Sequence, residues 1–304
     1  MCKMKNISSH TEWVASLGRA IKHTRNLAVW SSIPWFIGWA TLTVMGPIVA
    51  VRLVYRVLQV VMYRAFSGEK ALCGKIFQPP ELHVPTIVKL DLENINSIPG
   101  MVDNLLKTHG HIDVLINNAG ISFRGAAIDT DISVDIKLMV VNYFGQVALT
   151  KAILPSMVER KSGHLVAVSS VQGKLAIPYR SCYTASKHAL QGFFDSLRAE
   201  VADSGVLVTV VSPGYISTNL SLNAVTGDGS LYGTMDATTA SGMSPEKVAE
   251  HIVGSLINGY EELVLAPLSH RLAIILHTLA PSLISRIMKS RALSQKYMYA
   301  HKED

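Results

Sequence analysis

A chain of 304 residues has room for one large α/β domain and an appendage, and a 49% hydrophobic content with a mean hydropathy of +0.28 is high for a purely soluble protein. The formal charge of +6 suits an anionic partner such as lipid headgroups or a phosphate-bearing cofactor, while the basic residues form no dense run beside aromatics and so argue against nucleic acid. Three cysteines (Cys2, Cys73 and Cys182), with no CxxC pair and no ligand spacing to histidine, argue against a disulfide framework and against a metal site.

In chain order the first feature is the run from Asn26 to Val51, which carries no charged side chain and is bounded by Arg25 and Arg52. It exceeds the roughly 20 residues a helix needs to cross a bilayer core. Trp13, Trp30, Trp35 and Trp39 all fall near it, as expected of a side chain that prefers the headgroup level. Its apolar core is longer than a cleaved signal peptide requires. Residues 1–64 are therefore read as a flank and a single-pass membrane anchor spanning about 26–51, with the endoplasmic reticulum as the expected membrane.

From about residue 84 short apolar runs alternate with helical patterns, which predicts a parallel sheet covered by helices. Strands are predicted at Thr86–Leu90, Val114–Ile116, Leu165–Val168 and Val206–Val211. Helices are predicted at Ile95–Lys107, at about 133–160 and at about 183–203. Residues 215–243 are polar and too long for an ordinary connection, which predicts a functional loop. Ser244-Pro245 then supplies a cap and a first-turn proline for another helix. The apolar stretch Leu272–Met288, followed by Lys289, Arg291 and Lys296, has the composition of an interfacial helix.

The strongest chemical signal is Tyr183-x-x-x-Lys187 at a predicted helix start, with Ser170 just past a predicted strand. The i,i+4 spacing puts phenol and ammonium on one face. A positive charge favours the phenolate, which suits proton exchange with a carbonyl or alcohol oxygen. Ser170 lies where open α/β sheets gather ligands and its hydroxyl would hold that oxygen.

Further pieces stand in a fixed order: Asp91 after a strand, Asn117-Asn118-Ala119-Gly120, Asn142 in Val-Asn-Tyr-Phe-Gly, Ser169-Ser170, Tyr183 and Lys187, and Pro213-Gly214-Tyr215-Ile216-Ser217-Thr218. Over about residues 71–304 this resembles the classical short-chain dehydrogenase/reductases. The resemblance implies a doubly wound Rossmann-type α/β fold over 65–304 and a Ser-Tyr-Lys oxidoreductase. It gives Tyr183 the proton transfer, Lys187 the tuning of Tyr183 and a ribose contact, Ser170 the substrate oxygen, and Asn142 a water behind Lys187. Asp91 would face the adenine, Asn118, Ala119 and Gly120 the adenosine ribose, and Ile216 and Thr218, after Pro213-Gly214, the nicotinamide. Lys75 stands where members favouring NADP(H) over NAD(H) carry a basic residue for the 2′-phosphate.

One family motif is missing. The pyrophosphate turn needs glycines at n, n+4 and n+6, and among Gly18, Gly38, Gly46, Gly68, Gly74, Gly100 and Gly110 no three fit. The first strand and first helix are therefore expected to be absent. The implied partners are a hydrophobic carbonyl or alcohol, membrane lipid and a second copy of the chain. The alternative is a pseudoenzyme or splice isoform that binds no dinucleotide and acts through interaction.

Overall fold

The computed structural model describes residues 86–300, with side chains through 295. The expected span at 26–51 and Lys75 lie outside the described residues.

The first long element is α1 (Ile98–His109), opened by a proline in its first turn and closed at Gly110, whose N–H donates to the Leu106 carbonyl (2.8 Å). Ile98 and Val102, four apart, are its buried face. β1 (Val114–Asn117) follows, and then α2 (Ile132–Met139), capped by Asp131, whose carboxylate accepts the Ser133 N–H at 2.7 Å. A π-turn at Val140–Phe144 joins α2 to α3 (Gly145–Glu159). β2 (Gly163–Val168), α4 (Ser181–Glu200) and β3 (Val206–Pro213) complete the middle of the chain. The short α5 (Ala237–Ala240) precedes α6 (Pro245–Asn258), β4 (Glu262–Leu265), α7 (Leu268–Leu279) and α8 (Pro281–Ala300).

All four strands run parallel in the order β1-β2-β3-β4, with Val114 opposite His164, Gly163 opposite Val206 and Val210 opposite Glu262. Parallel neighbours need crossovers, and the intervening helices supply them. Alternation along β2 assigns the two faces. Leu165 and Ala167 join α1, α3 and α4 through Ile98, Val102, Ile153, Met157, Leu190 and Phe194. Val166 and Val168 join Val211, Leu265 and the α6 residues Val248 and Ile252. Helices thus cover both faces, and the parallel sheet covered by helices expected from the alternating pattern is present.

The run Ile132–Glu159 is long and apolar enough to cross a membrane by length and composition, but here it packs against α1 and α4. Ser244 caps α6 as expected, accepting the Lys247 N–H at 3.4 Å. The 215–243 segment is a tied loop: Met243 and Tyr215 bond through their backbones (2.9 Å), and Val225 pairs with Ser122 and Arg124 (both 2.9 Å).

Two expectations need correction. Thr86–Leu90 is not a strand; Ile87 is 94% exposed and makes no ladder. In a doubly wound order two further strands separate the third strand from the fourth, and the described residues supply no neighbour for it. The apolar stretch 272–288 is not one helix either. It breaks at Ala280–Pro281, because proline has no N–H with which to continue α7, and among the described side chains of the α7–α8 pair only Ile284 is deeply buried.

Candidate active site

Ser170 follows β2 in an extended conformation, and its Oγ accepts the Gln172 N–H (3.1 Å), capping a short turn. α4 starts at Ser181 and places Tyr183 in its first turn, where the side chain is 6% exposed. The Ser170 side chain acts on the Tyr183 hydroxyl. Burial raises the Tyr183 pKa, while Ser170 and then the charges of Arg124 and Arg180 pull it back down. One turn further on, the Lys187 Nζ donates to the Val168 carbonyl (2.9 Å) and lies 5.8 Å from the Tyr183 ring centre. Burial lowers the Lys187 pKa to about 8. Serine, tyrosine and lysine therefore meet at the carboxyl end of the sheet, as their spacing predicts.

Asn142 lies in the π-turn and is fully buried. Its amide grips the backbone of Ile121 in both directions: Nδ2 donates to the carbonyl (2.9 Å), and Oδ1 accepts the N–H (2.8 Å). Nδ2 also donates to Ser186 Oγ (3.0 Å), which ties the loop after β1 to α4. A π-turn presents its side chains off the regular helical rows, and here the displaced residue is the one that clamps the site.

The residues expected to hold a dinucleotide divide into two groups. Asn118 and Ala119 are exposed at the end of β1, and the Ala119 carbonyl accepts Gln146 Nε2 (2.6 Å). A Cβ on Gly120 would sit 3.0 Å from Asn142 Oδ1 and 3.6 Å from Lys187 Nζ, so a side chain there would press on the Asn142 amide. At the end of β3 the Gly214 N–H donates to the Leu265 carbonyl (2.9 Å), and Ile216 and Thr218 are partly exposed beyond the buried Pro213. Of these residues, Gly120 is the one that lies against Lys187. Asp91 stands apart: it is exposed, and its carboxylate accepts the Glu93 N–H (2.9 Å) as a turn cap. No described segment has the glycine turn that would cradle a pyrophosphate, and the described residues contain no cluster suited to a metal.

Sequence reasoning passed over the most heavily bonded polar group near Tyr183. Arg124 and Arg180 are both nine-tenths buried and both reach Asp236 of the 215–243 loop. No motif names these residues. The available signal was two isolated arginines set among apolar residues, in Ser-Phe-Arg-Gly and Pro-Tyr-Arg-Ser.

Comparison with known proteins places this geometry. The family profile described as short chain dehydrogenase matches residues 48–228, more than half of the chain. The chain is 57% identical over 210 residues to the Anopheles gambiae dehydrogenase/reductase SDR family protein 7-like, covering 69% of this chain and 66% of that one. It is 55% identical over 216 residues to the Bos taurus dehydrogenase/reductase SDR family member 7B, covering 71% and 66%. It thus spans about two thirds of the length of each of these relatives. A solved short-chain dehydrogenase from Streptomyces avermitilis superposes with a TM-score of 0.55 at 28% identity, over 69% of this chain and 80% of that one.

Proposed function

We propose that this chain, which belongs to the short-chain dehydrogenase/reductase family of oxidoreductases, is a membrane-anchored, NADP(H)-linked enzyme that interconverts a ketone and a secondary alcohol on a hydrophobic substrate. The observation that carries this reading is the convergence of Ser170, Tyr183 and Lys187 at the carboxyl end of the sheet, with Lys187 Nζ bonded to the Val168 carbonyl and 5.8 Å from the Tyr183 ring centre. Ser170 Oγ orients the substrate oxygen. Tyr183 Oη gives that oxygen a proton in the reductive direction and takes one in the oxidative direction. The buried Lys187 holds the ribose and, with the Asn142 turn and its water, returns the proton. Asn118, Ala119 and Gly120 on one side and Ile216 and Thr218 on the other hold the dinucleotide, which supplies the hydride. Lys75 and the absence of an acidic residue beside it support NADP(H) over NAD(H). The charge-free run at 26–51 supports the anchor, and the endoplasmic reticulum is the membrane proposed for it. Alkaline carbonate extraction checks the anchor: release of the full chain into the supernatant refutes it.

The missing glycine triad favours a second reading, a cofactor-deficient pseudoenzyme that acts through interaction. Losing two charge-assisted hydrogen bonds to a pyrophosphate costs about 3–6 kcal/mol, or roughly two to four powers of ten in affinity. Calorimetry of the full chain with NADPH, alongside assays of NADPH oxidation with apolar ketones, separates the two readings. Tyr183-dependent turnover supports the enzyme. Absence of both binding and turnover supports the pseudoenzyme, and turnover that survives Tyr183→Phe sinks the mechanism.

A further inference from the structure

Two arginines that Ser-Tyr-Lys chemistry does not require stand beside its tyrosine. Arg124 belongs to the loop after β1, next to Phe123, which shares a core cluster with Tyr183, Val134, Leu138, Cys182 and Val225. Arg180 immediately precedes α4, three positions before Tyr183. Asp236 immediately precedes α5 in the 215–243 loop. Arg124 Nε donates to Asp236 Oδ2 at 2.9 Å, and Arg180 Nη2 reaches the same oxygen at 3.5 Å. Arg124 Nη1 donates to Ser122 Oγ (2.7 Å) and the Phe123 carbonyl (2.8 Å), and Arg180 Nη1 donates to the Tyr179 carbonyl (3.0 Å). The Tyr232 hydroxyl donates to the other Asp236 oxygen at 3.4 Å, and its ring centre lies 5.7 Å from the Arg124 guanidinium.

Three segments remote in sequence thus converge on one carboxylate. Burying two guanidinium groups is costly unless they are paired and bonded, so the arrangement is built rather than incidental. The formal charges of these three residues sum to a positive value, and both arginines act on the Tyr183 hydroxyl. Other groups also face that region. Lys187, Cys182 and His188 lie on α4, with Lys187 bonded to Val168 and His188 Nδ1 to the Thr184 carbonyl (2.9 Å). Ser170 comes from the end of β2, and Asp135 of α2 acts on Cys182.

We propose that Arg124 and Arg180, gripped by Asp236, are positioning residues for Tyr183: they hold a positive field at its hydroxyl and fasten the 215–243 loop beside it. The inference rests on Tyr183 being the proton-transferring group, but its first test needs no turnover. The full chain is labelled with ¹³Cζ-tyrosine, the Tyr183 resonance is assigned by its loss in Tyr183→Phe, and the sample is titrated without cofactor or substrate. Arg124→Met removes a positive charge and moves the Tyr183 midpoint up by roughly one pH unit. Arg124→Lys keeps the charge and returns the midpoint toward that of the parent chain. Asp236→Asn removes the opposing charge and moves it down.

Opposite signs are what a purely structural role would not produce. Shifts of one sign in both variants, or no shift in either, overturn the inference. Arg180→Met carries the same expectation as Arg124→Met and replaces it if that variant does not fold. In an active chain the pH profile of kcat/KM moves in the same two directions. Unmoved midpoints in an active chain sink this inference and leave the proposed function standing. Opposite shifts in a chain without turnover support the inference and count against the proposed function.

Discussion

The carboxyl ends of β1, β2 and β3 and the outer edge of β1 are built from the same strands and end up in opposite states. At the carboxyl ends the polar side chains of Asn142, Ser170, Tyr183, Lys187 and Arg124 are all at least nine-tenths buried, each with a partner. Along β1, Leu115 and Asn117 face the core, whereas Val114 and Ile116 are 42% and 44% exposed. Val166, opposite Ile116 in the register, is fully buried under the α6 side of the sheet. The cover on that face thus stops at β2 among the described residues. Among the described residues, the bonded partners at that end come from the chain after residue 117. The outer edge borders the side on which a doubly wound order continues into its earlier strands.

Four experiments break or sharpen this contrast, beginning with the largest effect. Tyr183→Phe keeps the ring in its cluster and removes only the hydroxyl, so turnover falls by roughly 10²–10⁴-fold while the melting temperature changes little. A large loss of stability would show that the hydroxyl holds the fold rather than serving the reaction. Phe194→Ala, at a fully buried position between α4 and the sheet, costs about 3–5 kcal/mol in denaturant melts. A cost below about 1 kcal/mol would mean that the central core is looser than its burial indicates.

The third test is stability against pH. Burial places the Lys187 pKa at about 8, against an ordinary value of 10.5. Below pH 8 both folded and unfolded chains carry the proton, and the cost of the buried charge counts in full. Between about 8 and 10.5 the unfolded chain holds a proton that the folded one lacks, so stability rises with pH by up to about 3 kcal/mol. Tyr183 opposes this at the upper end. Its folded pKa is raised above 10, so the native state keeps a proton that the unfolded state loses, and stability falls as pH climbs past 10. Lys187→Met should flatten the rise, and a rise that persists in that variant would assign it to another group.

The smallest effect belongs to the edge. Ile87→Ser changes a side chain that is 94% exposed and should move stability by no more than about 0.5 kcal/mol. A loss above about 1 kcal/mol would show that Ile87 is covered in solution, and the contrast would fail there.

What the sequence told in advance follows the same division. Val206–Val211 and Leu165–Val168 were legible as strands because each is a short apolar run between helical patterns, and both sit in the sheet with neighbours on either side. Thr86–Leu90 has an equally good strand composition and is no strand, because pairing is a property of neighbours that a local pattern does not contain. β4 escaped notice because Glu262–Leu265 is only four residues long, although Gly259 in the left-handed region closes α6 just before it. Tyr183 and Lys187 were legible from spacing, which fixes relative position on one helix, and Ser170 from its place just past a strand. Arg124, Arg180 and Asp236 were not, since their meeting depends on three loops folding together. The YxxxK spacing singles out Lys187 as the tuning charge, yet the charges that pull the Tyr183 pKa down are those of Arg124 and Arg180, from outside that motif.

The π-turn at Val140–Phe144 makes one stretch of chain answer to two cores. Upstream of it, Val134 and Leu138 pack with Tyr183 and Phe123; downstream, Leu149, Ile153 and Met157 pack under the sheet with α1. A π-turn amounts to one residue inserted into an otherwise regular helix, and one residue is a rotation of about 100°. Deleting any single residue between 140 and 144 would give a straighter helix with better backbone geometry. That same deletion would swing one apolar stripe out of alignment with the other and carry Asn142 away from Ile121. The irregularity is therefore a phase-setter: the chain keeps a locally poorer helix so that two separately patterned surfaces can both face inward.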